Sequence, residues 1–125
     1  MARDMSFSDG PKVEPVISSE VWRLTEDFCC RADSSLFIVP KGFLTDGASI
    51  PRFLWRLCGH PMTTKRFPIA VVHDFLYSEP GGRTRAEVDA IYRDGLVALG
   101  FPGWKANVEY WAIRAFGGSH WGGAK

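Results

Sequence analysis

The chain has 125 residues, 46% of them hydrophobic and 14% aromatic, a composition that gives one globular domain a core of its own and excludes a disordered chain. Its 15 Lys and Arg residues against 14 Asp and Glu leave a net charge of +1 with no basic block, so no nucleic-acid partner is expected. No apolar run approaches the roughly 20 residues of a transmembrane helix, and MARDMSFSDG lacks the apolar segment of a signal peptide.

Residues 1–11 are polar and end in the turn signal Asp9-Gly10-Pro11, which reads as a flexible arm, with Met5 an alternative start. Residues 13–17 suit a short edge strand, because Pro15 cannot donate to a sheet interior. Residues 20–30 carry Val21, Trp22, Leu24 and Phe28, and Ala32-Asp33-Ser34-Ser35 is a turn. Leu36-Phe37-Ile38-Val39 is β-branched and aromatic, so the two runs predict a hairpin. Pro40-Lys41-Gly42 bends the chain again before an extended 43–45. The first third is expected to be a small antiparallel sheet.

Thr45-Asp46-Gly47-Ala48-Ser49 joins this sheet to a helix, with Ser49 as N-cap and Pro51 in the first turn. Phe53, Leu54, Trp55 and Leu57 make that helix apolar, and Gly59 and Pro61 stop it. The loop either offers Asp46 and backbone groups to a ligand or is a tight turn in which Asp46 caps local amides. Residues 63–67 form a basic linker. A mostly buried helix follows from Pro68 to Ser78, reading Ile-Ala-Val-Val-His-Asp-Phe-Leu-Tyr over 69–77. Pro80-Gly81-Gly82 breaks it. Thr84 and Glu87 form a capping box for a helix over 85–99, with Val88, Tyr92, Leu96 and Leu99 as its apolar stripe. Gly100 and Pro102 close that helix. A last helix over 104–116 carries Val108, Trp111 and Ala115 on one face, and residues 119–125 are a flexible tail. The expected architecture is α+β: a single domain over 12–118, with a small N-terminal antiparallel sheet followed by three or four helices, two of them an antiparallel pair.

The three cysteines, Cys29, Cys30 and Cys58, are an odd number, which argues against a closed disulfide framework and for a reducing compartment during synthesis. Cys29 and Cys30 on one strand point to opposite faces. Cys58-Gly59-His60 is a weak thiol or metal signal beside the plainer reading of a buried Cys at a turn.

The chemistry concentrates on 69–77. His73 and Tyr77 are i and i+4 on one helix face, with Asp74 one position round. An imidazole, a carboxylate and a phenol among apolar neighbours must satisfy one another or bind something. His73 lies five residues before the helix end and Asp89 five after Thr84, so across a short connection both sit about 7.5 Å from the turn. Asp89 can then accept from one imidazole nitrogen while the other faces a cleft, a base with its orienting group. The alternative is a surface salt-bridge ladder of Arg85, Asp89 and Arg93. Asp74 points about 100° away. With Asp46 and the carbonyls of 45–49 it suits a hard cation such as Ca²⁺.

Two resemblances follow from these motifs. FIVPKGFLTDGASIPR, AVVHDFLY, RAEVDAIY and YWAIRAFGG, in this order over about residues 21–117, resemble an uncharacterised family of small phage and prophage proteins. That implies a phage or prophage origin: synthesis in the host cytoplasm, possible incorporation into the virion, and phage structural proteins or a host envelope component as partners. It implies no particular activity. Over residues 69–92, His-Asp-x-x-Tyr followed by an Asp on the next helix is similar to the catalytic core of secreted phospholipases A2. This likeness implies His73 as the base that activates water, Asp74 as a Ca²⁺ ligand, and Asp89 and Tyr77 as supports of the His. The chain departs from that pattern: it has no Y-G-x-x-C-G calcium loop, and Thr45–Ser49 would have to replace it. The expected function is a phage-encoded, metal-assisted hydrolase acting on lipid or cell wall. The alternative is a non-enzymatic phage particle component or assembly factor with a structural His–Asp–Tyr cluster.

Overall fold

The computed structural model describes residues 4–8, 10–16, 21–45, 50–58, 65–118 and 121. Among these residues, six short strands precede four helices, the α+β order expected: β1 Met5–Phe7, β2 Val13–Pro15, β3 Trp22–Leu24, β4 Phe28–Ala32, β5 Ser35–Val39, β6 Leu44–Thr45, α1 Arg52–Cys58, α2 Phe67–Ser78, α3 Arg85–Ala98 and α4 Gly103–Phe116.

The strands make two antiparallel sheets where one was expected. One has the order β1-β4-β5 and the other β2-β3-β6. The run over 20–30 is divided by the bend at 25–27, so β3 and β4 join different sheets. The hairpin β4–β5 is present, with Phe28 opposite Val39 and Ala32 opposite Ser35. Asp33 closes its turn at φ 52°, a left-handed conformation that Asp tolerates better than most residues. Along β4, Phe28, Cys30 and Ala32 are buried while Cys29 is partly exposed, so the two adjacent cysteines do face opposite ways. Burial pushes the Cys30 thiol up to about 12, which keeps it protonated and unreactive. Pro15 lies on β2, an edge strand as its missing N–H requires.

The expected arm over 1–11 is in part a strand. Met5–Phe7 pairs with β4, Met5 opposite Ala32, and Met5 is buried. Asp33 holds this edge from the other side: its carboxylate accepts from the Asp4 amide at 3.0 Å and its own amide donates to the Asp4 carbonyl at 2.8 Å.

α2 is the central helix. It packs on β5, β6 and α3, and α3 packs on β1 and α4. Eight of its residues are buried: Ile69 to Asp74, Leu76 and Tyr77. Each buried aliphatic contributes about 1.5–3 kcal/mol, but an unpaired buried ion costs several kcal/mol, so the polar members of this run have to be matched. After α2, Gly81 and Gly82 adopt φ 62° and 85°, conformations that a side chain rarely takes. The capping box then starts α3: Thr84 accepts from the Glu87 amide, and Glu87 accepts from the Thr84 amide. Gly95 brings the two helices together, since a Cβ there would stand 2.3 Å from Cγ1 of Ile69.

α4 carries Val108, Trp111 and Ala115 on one face, as expected, and that face is turned to solvent. Ala106, Glu109 and Ile113 face the core, while Trp104, Val108 and Trp111 are exposed. The physical reason is Glu109, which is matched inside by a buried cation, as shown below. Among the described residues, no helix is long and apolar enough to cross a membrane. The tail over 119–125 lies outside the described residues except Trp121. Its ring packs edge-on against Tyr77 with centroids 5.2 Å apart.

Candidate functional site

Asp89 is the centre of the site. It sits on the second turn of α3, is 0% exposed, and gathers donors from all three long helices. From α2, His73 places Nε2 2.9 Å from Oδ1, and the Tyr77 hydroxyl donates to the same oxygen at 2.6 Å. From α4, Arg114 donates to Oδ2 at 3.1 Å. Arg85, one turn before Asp89 on α3, brings Nε to 3.8 Å from Oδ2.

Burial pushes the Asp89 carboxyl up, but the hydrogen bond and charge of His73, with the bonds from Tyr77 and Arg114, outweigh it and hold the group below its usual value. Asp89 is therefore an ionised acceptor with no proton to give. It follows that Nε2 of His73 carries the hydrogen in their bond, and in the neutral imidazole the lone pair is on Nδ1. Tyr77 moves in the opposite direction. Burial raises its phenol first, and the bond and charge of Asp89 add to that, well outweighing Arg85. Tyr77 thus remains a donor across the physiological range.

The imidazole is also held by rings. Tyr77 lies 4.3 Å and Tyr92 5.0 Å from it, centroid to centroid. The Tyr92 hydroxyl donates to Glu109 at 3.0 Å, and Glu109 takes a two-pronged contact from Arg66, 3.2 Å from Nε and 3.0 Å from Nη2. Arg66 is 2% and Glu109 0% exposed. This second cluster lies behind Tyr92 and links the start of α2 to α4.

The expected His73–Asp89 contact is thus present, with Tyr77 beside it. The salt-bridge ladder is half present: Arg85 approaches Asp89, but Arg93 instead sits 3.5 Å from Asp94 and lies over the Tyr110 ring at 4.8 Å. The ladder is buried at its centre, not on the surface. Asp74 points away from Asp89, as expected, and accepts from the Thr45 hydroxyl on β6. Asp46, the other expected metal ligand, lies outside the described residues, as do Ser49, the Cys58 thiol and His60. Among the described residues, no group of three or more His, Cys, Asp or Glu side chains is placed to hold a metal ion. Asp74 and Thr45 are oxygen donors of the kind a hard cation takes, but they do not make a site by themselves.

Four participants escape a reading of the sequence: Arg114, Arg66, Glu109 and Tyr92 as a polar group. Glu109 carried the available signal. It shares a helix face with Ala106 and Ile113, and an acid on an inward face needs a cation.

The fold and the site together define a small α+β protein with a buried His–Asp–Tyr centre on a helix pair. Residues 22–113 match the family described as Protein of unknown function (DUF1353), and the chain belongs to that family. The chain is similar to two proteins of Sinorhizobium fredii (strain NBRC 101917 / NGR234). It shares 33% identity with the uncharacterized protein y4jT over 115 residues, 90% of this chain and 34% of that protein. It shares 37% identity with the uncharacterized protein y4iH over 78 residues, 62% of this chain and 32% of that protein. The chain spans about a third of the length of these curated relatives. No solved structure matches.

Proposed function

We propose that the Asp89 centre is the working part of a hydrolase in which His73 activates water. The observation that carries this reading is the 2.9 Å bond from Nε2 of His73 to a carboxylate that is itself held by Tyr77 and Arg114. Such a bond fixes the ring and its tautomer and leaves proton transfer to Nδ1. In the step, Nδ1 takes a proton from water as the water oxygen attacks the substrate's electrophilic atom. The imidazolium is stabilised by Asp89, and the same proton then passes from Nδ1 to the departing group. Asp89 stays ionised throughout.

A hard divalent cation, Ca²⁺ first, belongs to the proposal through Asp74 and Asp46. The support is proximity in the chain: Asp46 directly follows Thr45, whose hydroxyl bonds Asp74, and consecutive Cα atoms lie about 3.8 Å apart. When bound, the cation would polarise the group under attack. The order of the motifs over 21–117 supports a phage or prophage origin, with lipid or cell wall as substrate and phage structural proteins or a host envelope component as partners.

The test is an assay of the intact chain on short-chain esters, phospholipid vesicles and purified peptidoglycan, each with and without Ca²⁺. Activity that disappears in His73→Gln while the melting temperature is kept supports the proposal. Silence on every substrate from folded, Ca²⁺-supplied protein removes it.

One observation favours a second reading. His73 and Asp89 are both 0% exposed, and each Asp89 oxygen already has a donor. A non-enzymatic phage particle component or assembly factor would need the cluster only to satisfy buried polar groups. In that case His73→Gln would lower phage function and melting temperature in parallel.

A further inference from the structure

The outward face of α4 is a feature that the buried centre does not use. Trp104, Val108 and Trp111 stand at i, i+4 and i+7, one stripe on the helix opposite Ala106 and Ile113. They are 71%, 57% and 66% exposed. Isolated exposed apolar residues are ordinary, but two tryptophans and a valine aligned over about two turns are a continuous patch. Apart from Glu109, the charged residues of α4 are basic, Lys105 and Arg114. The single acid of α4, Glu109, is buried on the inner face against Arg66. Lys105, next to Trp104 in the chain, lies 5.5 Å from the centroid of the Phe101 ring, with Lys65 4.9 Å and the buried Arg66 5.1 Å from the same centroid.

From this combination we infer that the outer face of α4 docks the protein on an anionic phospholipid surface. An indole suits the headgroup region because it has a large apolar body and one polar N–H. Lysines beside it are drawn to anionic headgroups, and no exposed acid on α4 opposes them. The main rival occupant is a second copy of the chain. A facing α4 would offer no exposed acid to Lys105, so charge disfavours that pairing. The inference stands on the surface alone and holds whether or not the Asp89 centre is catalytic.

The experiment is co-sedimentation of the intact chain with two kinds of vesicle, phosphatidylcholine alone and phosphatidylcholine containing phosphatidylglycerol, with tryptophan emission recorded on the same samples. The expected result is binding to the anionic vesicles, a blue shift of the emission, and loss of both at high salt. Lys65→Gln with Lys105→Gln should weaken binding by roughly 25-fold, since each cation near such a surface is worth on the order of fivefold. Trp104→Ser with Trp111→Ser should abolish the emission shift and keep the melting temperature, because both side chains are exposed. Absence of binding, or equal binding to both vesicles, overturns the inference. So does a dimer in sedimentation velocity that the tryptophan pair dissolves while vesicle binding is unaffected, which would assign the face to a second copy.

Discussion

Two buried carboxylates, Asp89 and Glu109, solve the same problem with different partners. Each is 0% exposed, and each takes a tyrosine hydroxyl and an arginine. Asp89 has in addition the imidazole of His73, with Arg85 3.8 Å from Oδ2. The difference teaches where chemistry can reside. Arginine stays charged and a buried phenol stays protonated, so Arg66 and Tyr92 serve Glu109 as braces between the helices. The Asp89 cluster contains the one side-chain type whose ordinary range straddles neutrality, so it alone can pass a proton without changing its scaffold. Tyr92 joins the two, its ring on His73 and its hydroxyl on Glu109.

Four measurements would break or sharpen this comparison. The largest effect is expected from Asp89→Asn on activity. The amide keeps the volume, but it can present its N–H₂ to His73 and stabilise the wrong tautomer, which in comparable dyads lowers kcat by roughly 10⁴. Stability should fall by only about 1–3 kcal/mol, the range for disturbing buried hydrogen bonds. Denaturant titration beside the substrate panel reads both quantities. Equal activity in the variant and the parent would reduce Asp89 to the status of Glu109.

Glu109→Gln should do the reverse. Removing one charge of a buried pair costs about 3–5 kcal/mol. Whatever fraction remains folded should keep its turnover, because the Tyr92 ring stands between Glu109 and His73. A double variant, Arg66→Met with Glu109→Leu, should recover much of that stability, since apolar replacement of both ions is often neutral. A stable, inactive Glu109→Gln would show that the two clusters act as one.

The pH dependence of stability separates the carboxylates in another way. The Asp89 carboxyl is held below its usual value of 3.8, so the unfolded chain takes up that proton at a higher pH than the folded one. Its contribution is present above the usual carboxylate range and is lost as pH falls through the depressed folded value. The acid limb of a plot of urea midpoint against pH, from about pH 5 downward, should therefore be shallower in Asp89→Asn. An unchanged limb would mean that other carboxylates carry acid unfolding.

How much of this was legible in the sequence depends on how local the signals were. The register of His73 and Asp89 was, because it is set by Pro80-Gly81-Gly82 and by the Thr84–Glu87 box, both close to the connection. The edge position of Pro15 and the opposite faces of Cys29 and Cys30 follow from equally local rules. The orientation of α4 was not legible. The sequence puts Val108 and Trp111 on one face without deciding whether it lies inside or out, and the burial of Glu109 against Arg66, 43 residues away, decides it. Met5–Phe7 is hidden for the same reason, since a strand of three residues is defined by its partner β4 and not by itself. The assignment of Asp46 to a cation rests on residues outside those described.

The smallest expected effect belongs to Tyr77→Phe, and it sharpens the comparison most finely. The phenol donates to Oδ1 of Asp89 and accepts from Nε of Arg85 at 3.2 Å. Removing the oxygen deletes one of two donors on Oδ1, where His73 remains, so the carboxylate is not orphaned. Arg85 keeps its bonds to the Ile113 and Arg114 carbonyls, at 2.8 and 2.7 Å, and the end of α4 stays anchored. The ring still packs on His73 and Trp121. The loss should therefore be about 1–2 kcal/mol, that of one hydrogen bond to a charged group without a new cavity. Activity should fall less than in Asp89→Asn, because the tautomer of His73 is set by Asp89 and not by Tyr77. A Tyr77→Phe variant as inactive as Asp89→Asn, at unchanged melting temperature, would make the phenol a participant in proton transfer and not a support.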